Sequence, residues 1–157
     1  MNKAMQIVIA EKKDLKEILE LQKACYLEEA ELYDDFSIPP LTQTLGSIER
    51  DFSKTIFLKV ESEGRIIGSI RGRLDWNTCK IERLVVGVNF RNQGLGTKLM
   101  HSIEWHFSNV KRFELFTGHK SVRNLSLYDE LGYTPFKKQR VNEKLELIFL
   151  EKLNIKS

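Results

Sequence analysis

The sequence contains the stretch Arg91-Asn92-Gln93-Gly94-Leu95-Gly96, which follows an apolar run from Ile81 to Val88 and precedes a long helical pattern. Its two glycines allow a tight turn, because no Cβ crowds the backbone there. The first N–H groups of the following helix have no partner within the helix and lie at the positive end of its dipole. Such a turn binds anions, so the stretch predicts a phosphate site between a strand and a helix.

Composition indicates one ordinary globular domain spanning residues 1–157. The chain is 41% hydrophobic and 30% charged, with three prolines and no low-complexity tract. A chain of this length buries roughly 70% of the surface that it exposes when unfolded. The net charge of +3 is too small to indicate a nucleic-acid partner. Short basic runs such as Lys137-Lys138 are typical of a solvated surface.

The cysteine pattern favours a reducing, cytoplasmic setting. Only two cysteines occur, Cys25 and Cys79, without a Cys-x-x-Cys pair or a histidine pattern that would indicate a metal site. Cys79 is predicted to lie at a turn, next to residues 75–78. No apolar run reaches the roughly eighteen residues that span a bilayer, and the amino terminus has no signal-like apolar core. We therefore expect neither a metal nor a membrane partner.

Periodicity predicts strands and helices in mixed order. The strand-like runs are residues 5–10, 55–61, 65–74, 80–88, 112–117 and 145–153. The first helix is predicted to begin at a capping box, Asp14-Leu15-Lys16-Glu17. Further helical patterns cover residues 41–52, residues 95–109 and the segment from Ser121, its expected cap, to Gly132. Short links between the second, third and fourth strands imply antiparallel neighbours. This order predicts an α/β or α+β domain around one sheet.

Two sets of charged residues are candidates for binding a substrate. Five carboxylates without a Lys or Arg between them lie near the end of the first helix: Glu28, Glu29, Glu31, Asp34 and Asp35. They form either a solvated helix end or an acidic lip that attracts a cationic amine. On the third strand Ser69, Arg71 and Arg73 share one face, which is either a wet sheet face or a polar wall for an acceptor. The arginines would favour an acceptor that carries a carboxylate.

Two common phosphate motifs do not fit the spacing. A P-loop requires a lysine directly after its last glycine, whereas Thr97 follows Gly96. A dinucleotide fingerprint requires Gly-x-Gly-x-x-Gly/Ala after the first strand, whereas Leu99 holds the third position and the preceding strands are predicted to be antiparallel. The stretch fits a different pattern, Arg/Gln-x-x-Gly-x-Gly/Ala at a strand-to-helix junction.

Downstream of this pattern lie Asn124-Leu125-Ser126-Leu127-Tyr128 and Leu131-Gly132-Tyr133. Together and in this order, the blocks resemble the GNAT family of N-acetyltransferases, and the resemblance covers nearly the whole chain. It implies a central mixed, mostly antiparallel sheet of about six to seven strands flanked by about four helices. It also implies transfer of the acetyl group of acetyl-CoA to a primary amine of a small molecule or peptide, by direct attack in a ternary complex.

The resemblance implies that coenzyme A occupies the phosphate site, with its pantetheine arm along the strand that ends near Val86. A strand that separates from its neighbour there exposes N–H and C=O groups, which can pair with pantetheine amides as another strand would. The same separation exposes an N–H to the thioester carbonyl, where negative charge develops. The implied cofactor-binding residues are Leu84, Val85, Val86, Arg91, Asn92, Gln93, Gly94, Leu95, Gly96, Thr97, Asn124 and Tyr128.

Two residues are candidates for proton transfer. Asn124 and Tyr128 lie four positions apart on a predicted helix, so both project from one face. Tyr128 matches the position of the family's general acid, and a phenol, whose ordinary pKa is about 10, can protonate a departing thiolate. The amine must lose a proton before it attacks, and Glu82 is the candidate base. The alternatives are a water wire, and a Glu82 that only pairs with Arg83 or Arg71 on the sheet surface.

Two functions therefore remain at this point. The first is an N-acetyltransferase. The second is a module with a GNAT fold that binds acyl-CoA or a protein partner without turnover, because a fold does not ensure a function. A nucleic-acid partner is not expected, and both a monomer and a homodimer are compatible with the sequence.

Overall fold

The computed structural model describes residues 5–155, which form one seven-stranded sheet with helices packed against it. The strands are β1 (Ile7–Ile9), β2 (Ile56–Ser62), β3 (Arg65–Asp75), β4 (Thr78–Val86), β5 (Arg112–Gly118), β6 (Thr134–Arg140) and β7 (Glu146–Leu153). The helices are α1 (Leu15–Tyr33), α2 (Pro39–Thr42), α3 (Leu45–Phe52), α4 (Leu95–His106) and α5 (Val122–Glu130).

The sheet is mixed and mostly antiparallel, as predicted. Its spatial order is β1-β2-β3-β4-β5-β7-β6. Every neighbouring pair is antiparallel except β4 and β5, which run parallel. The parallel pair stands at the centre of the sheet, where the connection from β4 to β5 passes through α4.

Two apolar clusters hold the helices to the sheet. In one, Leu99 and Ile103 of α4 are fully buried against sheet residues such as Ile70. In the other, Ile18 of α1 and Ile48 of α3 pack in the cluster that contains Phe57. A fully buried side chain of this size contributes roughly 1.5–3 kcal/mol relative to an exposed one. The clusters fix α1 and α4 against β3 and β4, and so fix the walls of the central opening described below.

The sequence carries no clear signal for β6, which is the strand that the predicted set lacks. All seven of its residues are exposed, and β6 lies at the edge of the sheet, paired with β7 alone. Pro135 and the charged side chains Lys137 and Lys138 suit such an edge, because an edge strand leaves one row of backbone groups unpaired. The alternating pattern that marks a half-buried strand is therefore absent from its sequence.

Two local predictions about helices are wrong. The helix predicted over residues 41–52 is split into α2 and α3, because Thr44 caps α3 by accepting a hydrogen bond from Ser47 N at 3.2 Å. Residues 14–17 form no capping box. Asp14 instead accepts from Glu11 N at 2.8 Å, and Glu17 accepts from Ile66 N at 2.7 Å. Each carboxylate therefore satisfies a backbone donor outside the predicted box.

Cys79 is also placed differently from its prediction. It lies within β4 rather than at a turn, and it is fully buried. Burial raises the pKa of its thiol to about 12, so the thiolate is scarce at neutral pH. Cys79 is therefore a packing residue and has no nucleophilic character.

Candidate active site

Strands β4 and β5 are paired over a short region at their beginnings and separate from each other after it. Among the described residues they pair only through residues 78–80 of β4 and 112–114 of β5. Both strands continue past this region, to Val86 and Gly118. The backbone of β4 beyond Lys80 consequently has no strand beside it on that side. The gap between the two strands is a candidate site for an extended ligand, because exposed strand edges pair with one.

A β-bulge redirects β4 as it enters this gap. Arg71 of β3 stands opposite Glu82, whereas Ser69 stands opposite Val85. Between these pairs β4 therefore has one residue more than β3, and Arg83 takes a left-handed backbone with φ 54°. Bulges of this kind aim side chains away from the regular pleat and end the regular pairing. The bulge lies in the part of β4 that has already separated from β5, beyond the last pair at Lys80.

The gap opens into a cleft of 450 Å³ that reaches the first turn of α4. The loop before α4 turns sharply, with left-handed backbone at Asn92 (φ 63°) and Gly94 (φ 77°). Lys98 N donates to Gly94 O at 3.1 Å, which is the first backbone bond of the helix. The N–H groups of residues 95–97 precede that bond and border the cleft. Free N–H groups at a helix start bind phosphate, so this end of the cleft fits a pyrophosphate.

Most of the predicted cofactor-binding residues border the cleft. These are Leu84, Val85, Val86, Arg91, Asn92, Gly94, Leu95, Gly96, Thr97 and Asn124. Gln93 and Tyr128 do not line it. The lining residues that were not predicted include Cys25 and Tyr26 of α1, and the basic residues Lys120 and Arg123. Which face of α1 meets the cleft depends on how the helix packs, and no local motif records that.

The α1 wall reaches across to the phosphate loop. Arg91 Nη1 donates to both carboxylate oxygens of Glu28, at 2.8 and 3.0 Å. Arg91 Nε and Cys25 Sγ both donate to Val86 O, at 3.3 and 3.4 Å. Two side chains therefore occupy the carbonyl at the end of β4 that a bound strand-like ligand would otherwise use. Burial raises the pKa of the Cys25 thiol, and the nearby Arg91 opposes that effect.

Farther along α1, two side chains bridge the cleft to the start of α5. Ser121 Oγ donates to Glu29 Oε2 at 2.7 Å, and Lys120 N donates to Tyr33 Oη at 2.9 Å. Ser121 precedes α5 but makes no capping hydrogen bond, so its predicted capping role is wrong. The Tyr33 hydroxyl lies so close to Gly118 that a Cβ at that position would overlap it. We refer to these contacts of Glu29 and Tyr33 as the α1 brace.

Tyr128 is buried with a hydroxyl group that has no partner. Its ring is 5% exposed and packs against Tyr133, with ring centroids 6.1 Å apart. The hydroxyl forms no hydrogen bond within residues 5–155. Burial raises the pKa of Tyr128, and the neighbouring Tyr26 and Glu29, which both border the cleft, raise it further. The phenol is therefore held protonated at neutral pH, next to the part of the cleft that Tyr26 and Glu29 line.

Asn124 borders the cleft one helical turn before Tyr128 on α5. Its side-chain amide donates to Thr117 Oγ1 at 3.3 Å, a bond that ties α5 to the end of β5. The amide oxygen of Asn124 carries no hydrogen bond within the described chain. The residue therefore combines a structural contact with an acceptor group that remains available to a ligand.

Glu82 lies on β4 immediately before the bulge, outside the set of residues that line the cleft. Its Oε1 accepts from Arg73 Nε at 3.2 Å, so its ion-pair partner is neither Arg83 nor Arg71. The interpretation of a wet face on β3 is wrong for Ser69 and Arg71, which are each 2% exposed, and holds only for Arg73. Helices cover both sides of this sheet, so the period of two does not separate a wet face from a dry one.

The acidic residues near the end of α1 have varied surroundings. Glu28 and Glu29 border the cleft, whereas Glu31 lies outside it. Asp34 pairs with Lys144 at 3.2 Å, and Asp35 accepts from Ser37 Oγ at 2.6 Å. The carboxylates do not form one continuous surface.

Two further properties concern the described part of the chain alone. No helix in residues 5–155 is both long enough and apolar enough to cross a membrane. In the same residues, no group of three or more His, Cys, Asp or Glu side chains is arranged to hold a metal ion.

The gap in the sheet, the bulge and the phosphate loop are those of an N-acetyltransferase fold. Residues 15–133 match the acetyltransferase (GNAT) family, and the protein belongs to that family. It is 26% identical over 118 residues to UPF0157 protein YqkA of Bacillus subtilis, across 75% of this chain and 34% of that protein. It is 30% identical over 80 residues to an uncharacterized N-acetyltransferase of Methanocaldococcus jannaschii, across 49% of this chain and 51% of that protein.

The match thus spans about a third of the first relative and about half of the second. Among solved structures, the fold is similar to YncA of Salmonella typhimurium, which was solved with its cofactor acetyl-CoA. The TM-score is 0.75 at 18% sequence identity, and the likeness covers 99% of this chain and 96% of that chain. At this identity the likeness concerns the fold.

Proposed function

We propose that the protein transfers the acetyl group of acetyl-CoA to a primary amine by direct attack in a ternary complex. The observation that carries this proposal is the gap between β4 and β5. An open strand edge and the start of α4 border one cleft, and Tyr128 lies next to two residues that line it, Tyr26 and Glu29. When bound, acetyl-CoA supplies an activated acyl group whose leaving group is a thiolate.

Four parts of the cleft would hold the donor. The N–H groups of residues 95–97 bind the pyrophosphate, and the turn at Asn92 and Gly94 brings the backbone close to it. Lys120 and Arg123 add positive charge beside the phosphates. The backbone groups of residues 84–86, apart from the Val86 carbonyl that Arg91 and Cys25 already use, pair with the amides of the pantetheine arm as a neighbouring strand would. Asn124 orients the arm through its side-chain amide.

Tyr128 is the proposed general acid. Its hydroxyl is not engaged by the described residues, and its raised pKa keeps the proton in place until a stronger base forms nearby. A departing thiolate is such a base. Tyr128 donates its proton to the sulfur of the departing thiolate. The bound acceptor amine is not the proton donor in this step.

Glu82 is the proposed general base, acting through a water molecule because its side chain does not line the cleft. Its Oε1 accepts a hydrogen bond from Arg73 Nε at 3.2 Å, which orients the carboxylate. The proton of the acceptor ammonium group passes to Glu82 before the amine attacks. The carboxylates of Glu28 and Glu29 already have partners, so they attract a cationic acceptor at long range rather than by contact.

Replacing Glu82 by Gln is expected to lower kcat/KM by about 100-fold at neutral pH, because a positioned base contributes roughly that factor. The Kd of CoA should not change. Glu82→Gln loses both the base and the ion pair with Arg73. Arg73→Gln breaks the ion pair but keeps the carboxylate, so it shows the effect of losing the ion pair alone. Glu61→Gln, which alters another paired glutamate on the same sheet, is the matched control. Full activity in Glu82→Gln would assign the base to a water wire.

The proposed reaction is tested by measuring CoA release from acetyl-CoA with a panel of amines, amino acids, polyamines and peptides. We expect release with at least one class of acceptor, and a preference for cationic acceptors if the acidic residues attract them. Calorimetric titration with CoA provides the second measurement. Tight CoA binding without release for any acceptor would contradict the enzyme and leave an acyl-CoA-binding module with a GNAT fold.

A further inference from the structure

Two guanidinium groups, those of Arg71 and Arg83, lie close together behind the part of the cleft wall that contains Tyr26. Arg71 of β3 is 2% exposed, and its guanidinium carbon lies 4.9 Å from the centre of the Phe57 ring. Arg83, in the β4 bulge, is half-buried. The pKa of Arg71 is lowered to about 10, by burial first and by the positive charge of Arg83 second. Two like charges brought together in this way are unfavourable unless an anion joins them.

Both groups have hydrogen-bond donors that no atom of residues 5–155 uses. Arg71 Nη2 donates to Gln43 Oε1 at 3.2 Å, whereas Nη1 lies 3.7 Å from Asp51 Oδ2, too far for a hydrogen bond. Arg71 Nε and Nη1 and Arg83 Nε are buried without a hydrogen-bond partner. Buried polar atoms nearly always have a partner in a folded protein, so three unused donors in one place require an explanation.

The nearby carboxylates do not supply it. Asp51 accepts from Gln43 Nε2 at 2.8 Å, and Glu82 accepts from Arg73 Nε at 3.2 Å. Arg83 makes no ion pair within the part of the chain that the structure describes. No carboxylate of the described residues therefore balances the charge of Arg83 near the bulge.

Tyr26 connects the two arginines to the proposed catalytic position. Burial raises the pKa of Tyr26, while Arg83 and Arg71 lower it, so both charges are close to its hydroxyl. Tyr26 borders the cleft, and its hydroxyl is in turn among the groups that act on Tyr128. Neither arginine lines the cleft, but both act on Tyr26, which does, so they lie behind this part of the cleft wall.

We propose that Arg83, with Arg71 behind it, binds a carboxylate carried by one of the two substrates. The guanidinium of Arg83 makes the contact, because Arg83 is only half-buried and its outer nitrogens reach the surface. Arg71 is buried behind it and strengthens the local positive field. A carboxylate offers two oxygens to the planar fork of an arginine, which favours this anion over a point charge. The inference rests on the proposed function, and the carboxylate belongs either to the acceptor amine or to a dicarboxylic acyl group of the donor.

The two sources are distinguished by two arms of one experiment. In the acceptor arm, CoA release from acetyl-CoA is measured with amino acids and with their matched α-carboxamides. In the donor arm, one active amine is acylated from succinyl-CoA and from butyryl-CoA, which have acyl chains of equal length. In one arm we expect kcat/KM for the carboxylate compound to exceed that for its neutral partner by about 10- to 100-fold, the usual range for one charged hydrogen-bonded contact.

In Arg83→Gln that ratio should fall to about one, and in Arg83→Lys to an intermediate value, because lysine keeps the charge and loses the fork. Arg65→Gln, an exposed arginine of β3 far along the strand from the bulge, should keep the wild-type ratio. A ratio near one in both arms for the wild type would overturn the proposal. A ratio that Arg83→Gln leaves intact would overturn it as well.

Thermal unfolding gives a readout that does not depend on turnover. With CoA present, succinate should raise the Tm of the wild type more than succinamide does, and Arg83→Gln should remove that difference. Absence of CoA release with every pair of substrates would reject the proposed function alone, since the succinate effect still tests the carboxylate site. Equal Tm values with succinate and succinamide in the wild type would reject the site.

Discussion

Tyr128→Phe is expected to lower kcat by about 100- to 10,000-fold, which is the range for loss of a positioned general acid. The change removes one oxygen atom that no described residue uses as a hydrogen-bond partner, so the packing of the ring against Tyr133 is retained. The Kd of CoA should stay within about twofold, because the lost interaction forms only as the thiolate departs. Steady-state kinetics and calorimetric titration measure the two quantities separately.

Tyr133→Phe is the matched control for this substitution. Tyr133 is also buried, but its hydroxyl donates to Glu104 Oε2 at 2.7 Å on the far side of the ring pair. Its loss should lower the free energy of unfolding by roughly 1.5–3 kcal/mol, because a hydrogen bond to a charged group is lost, although Glu104 keeps its ion pair with Lys152; kcat should not change. Wild-type kcat in Tyr128→Phe would remove Tyr128 as the acid.

The pH dependence follows from the raised pKa of Tyr128. A phenol whose pKa is higher in the folded than in the unfolded protein is protonated throughout the neutral range, so it does not limit kcat below its ordinary pKa of about 10. Its contribution to stability is complete below that value and is lost as the pH rises through the folded-state pKa. The alkaline loss of stability should therefore be smaller in Tyr128→Phe than in the wild type.

Gly96→Val is expected to raise the Kd of CoA by about 100-fold or more, equivalent to losing one or two hydrogen bonds to a charged group. A Cβ at Gly96 would lie 3.5 Å from Leu127 Cδ2 and 4.0 Å from Leu84 Cδ2. Both are ordinary contacts with residues of the cleft wall, so the fold accepts the side chain while the added methyl groups fill the space of the pyrophosphate. Gly94 is less suitable for this test, because its φ of 77° strains any larger residue.

Gly46→Val is the control, since Gly46 is the second residue of α3 just as Gly96 is the second residue of α4. A Cβ there meets only Arg50 Nη1, at 3.5 Å. The two variants therefore share the same change in backbone freedom and differ in what the side chain blocks. Equal affinity for CoA in Gly96→Val and the wild type would contradict the assignment of the phosphate loop.

The sequence predicts the turn and the helix start at one end of the cleft well, because their determinants are local. Glycines at Gly94 and Gly96, a strand before them and a helix after them specify the turn without reference to any other part of the chain. Asn124 could be placed because a helix puts it one turn before Tyr128. These positions depend on neighbours within a few residues, and sequence patterns record such neighbours.

The acceptor end is less predictable, because it depends on contacts between distant segments. The face of β3 that carries Arg71 is covered by helices, so alternation along the strand did not reveal that the arginine is buried. The bulge at Arg83 adds a residue to β4 and changes the parity of everything after it. Tyr26 and Cys25 enter the cleft because of the angle at which α1 packs, which no single stretch of sequence specifies.

The α1 brace has a mechanical consequence for the central gap. Pairing at residues 78–80 closes the gap at one end, and the contacts of Glu29 and Tyr33 with Ser121 and Lys120 tie its two sides together at the other. The sheet therefore contains a gap that is framed at both ends. A frame of this kind sorts ligands by thickness: a slender chain passes along it, and bulky groups remain at its two mouths.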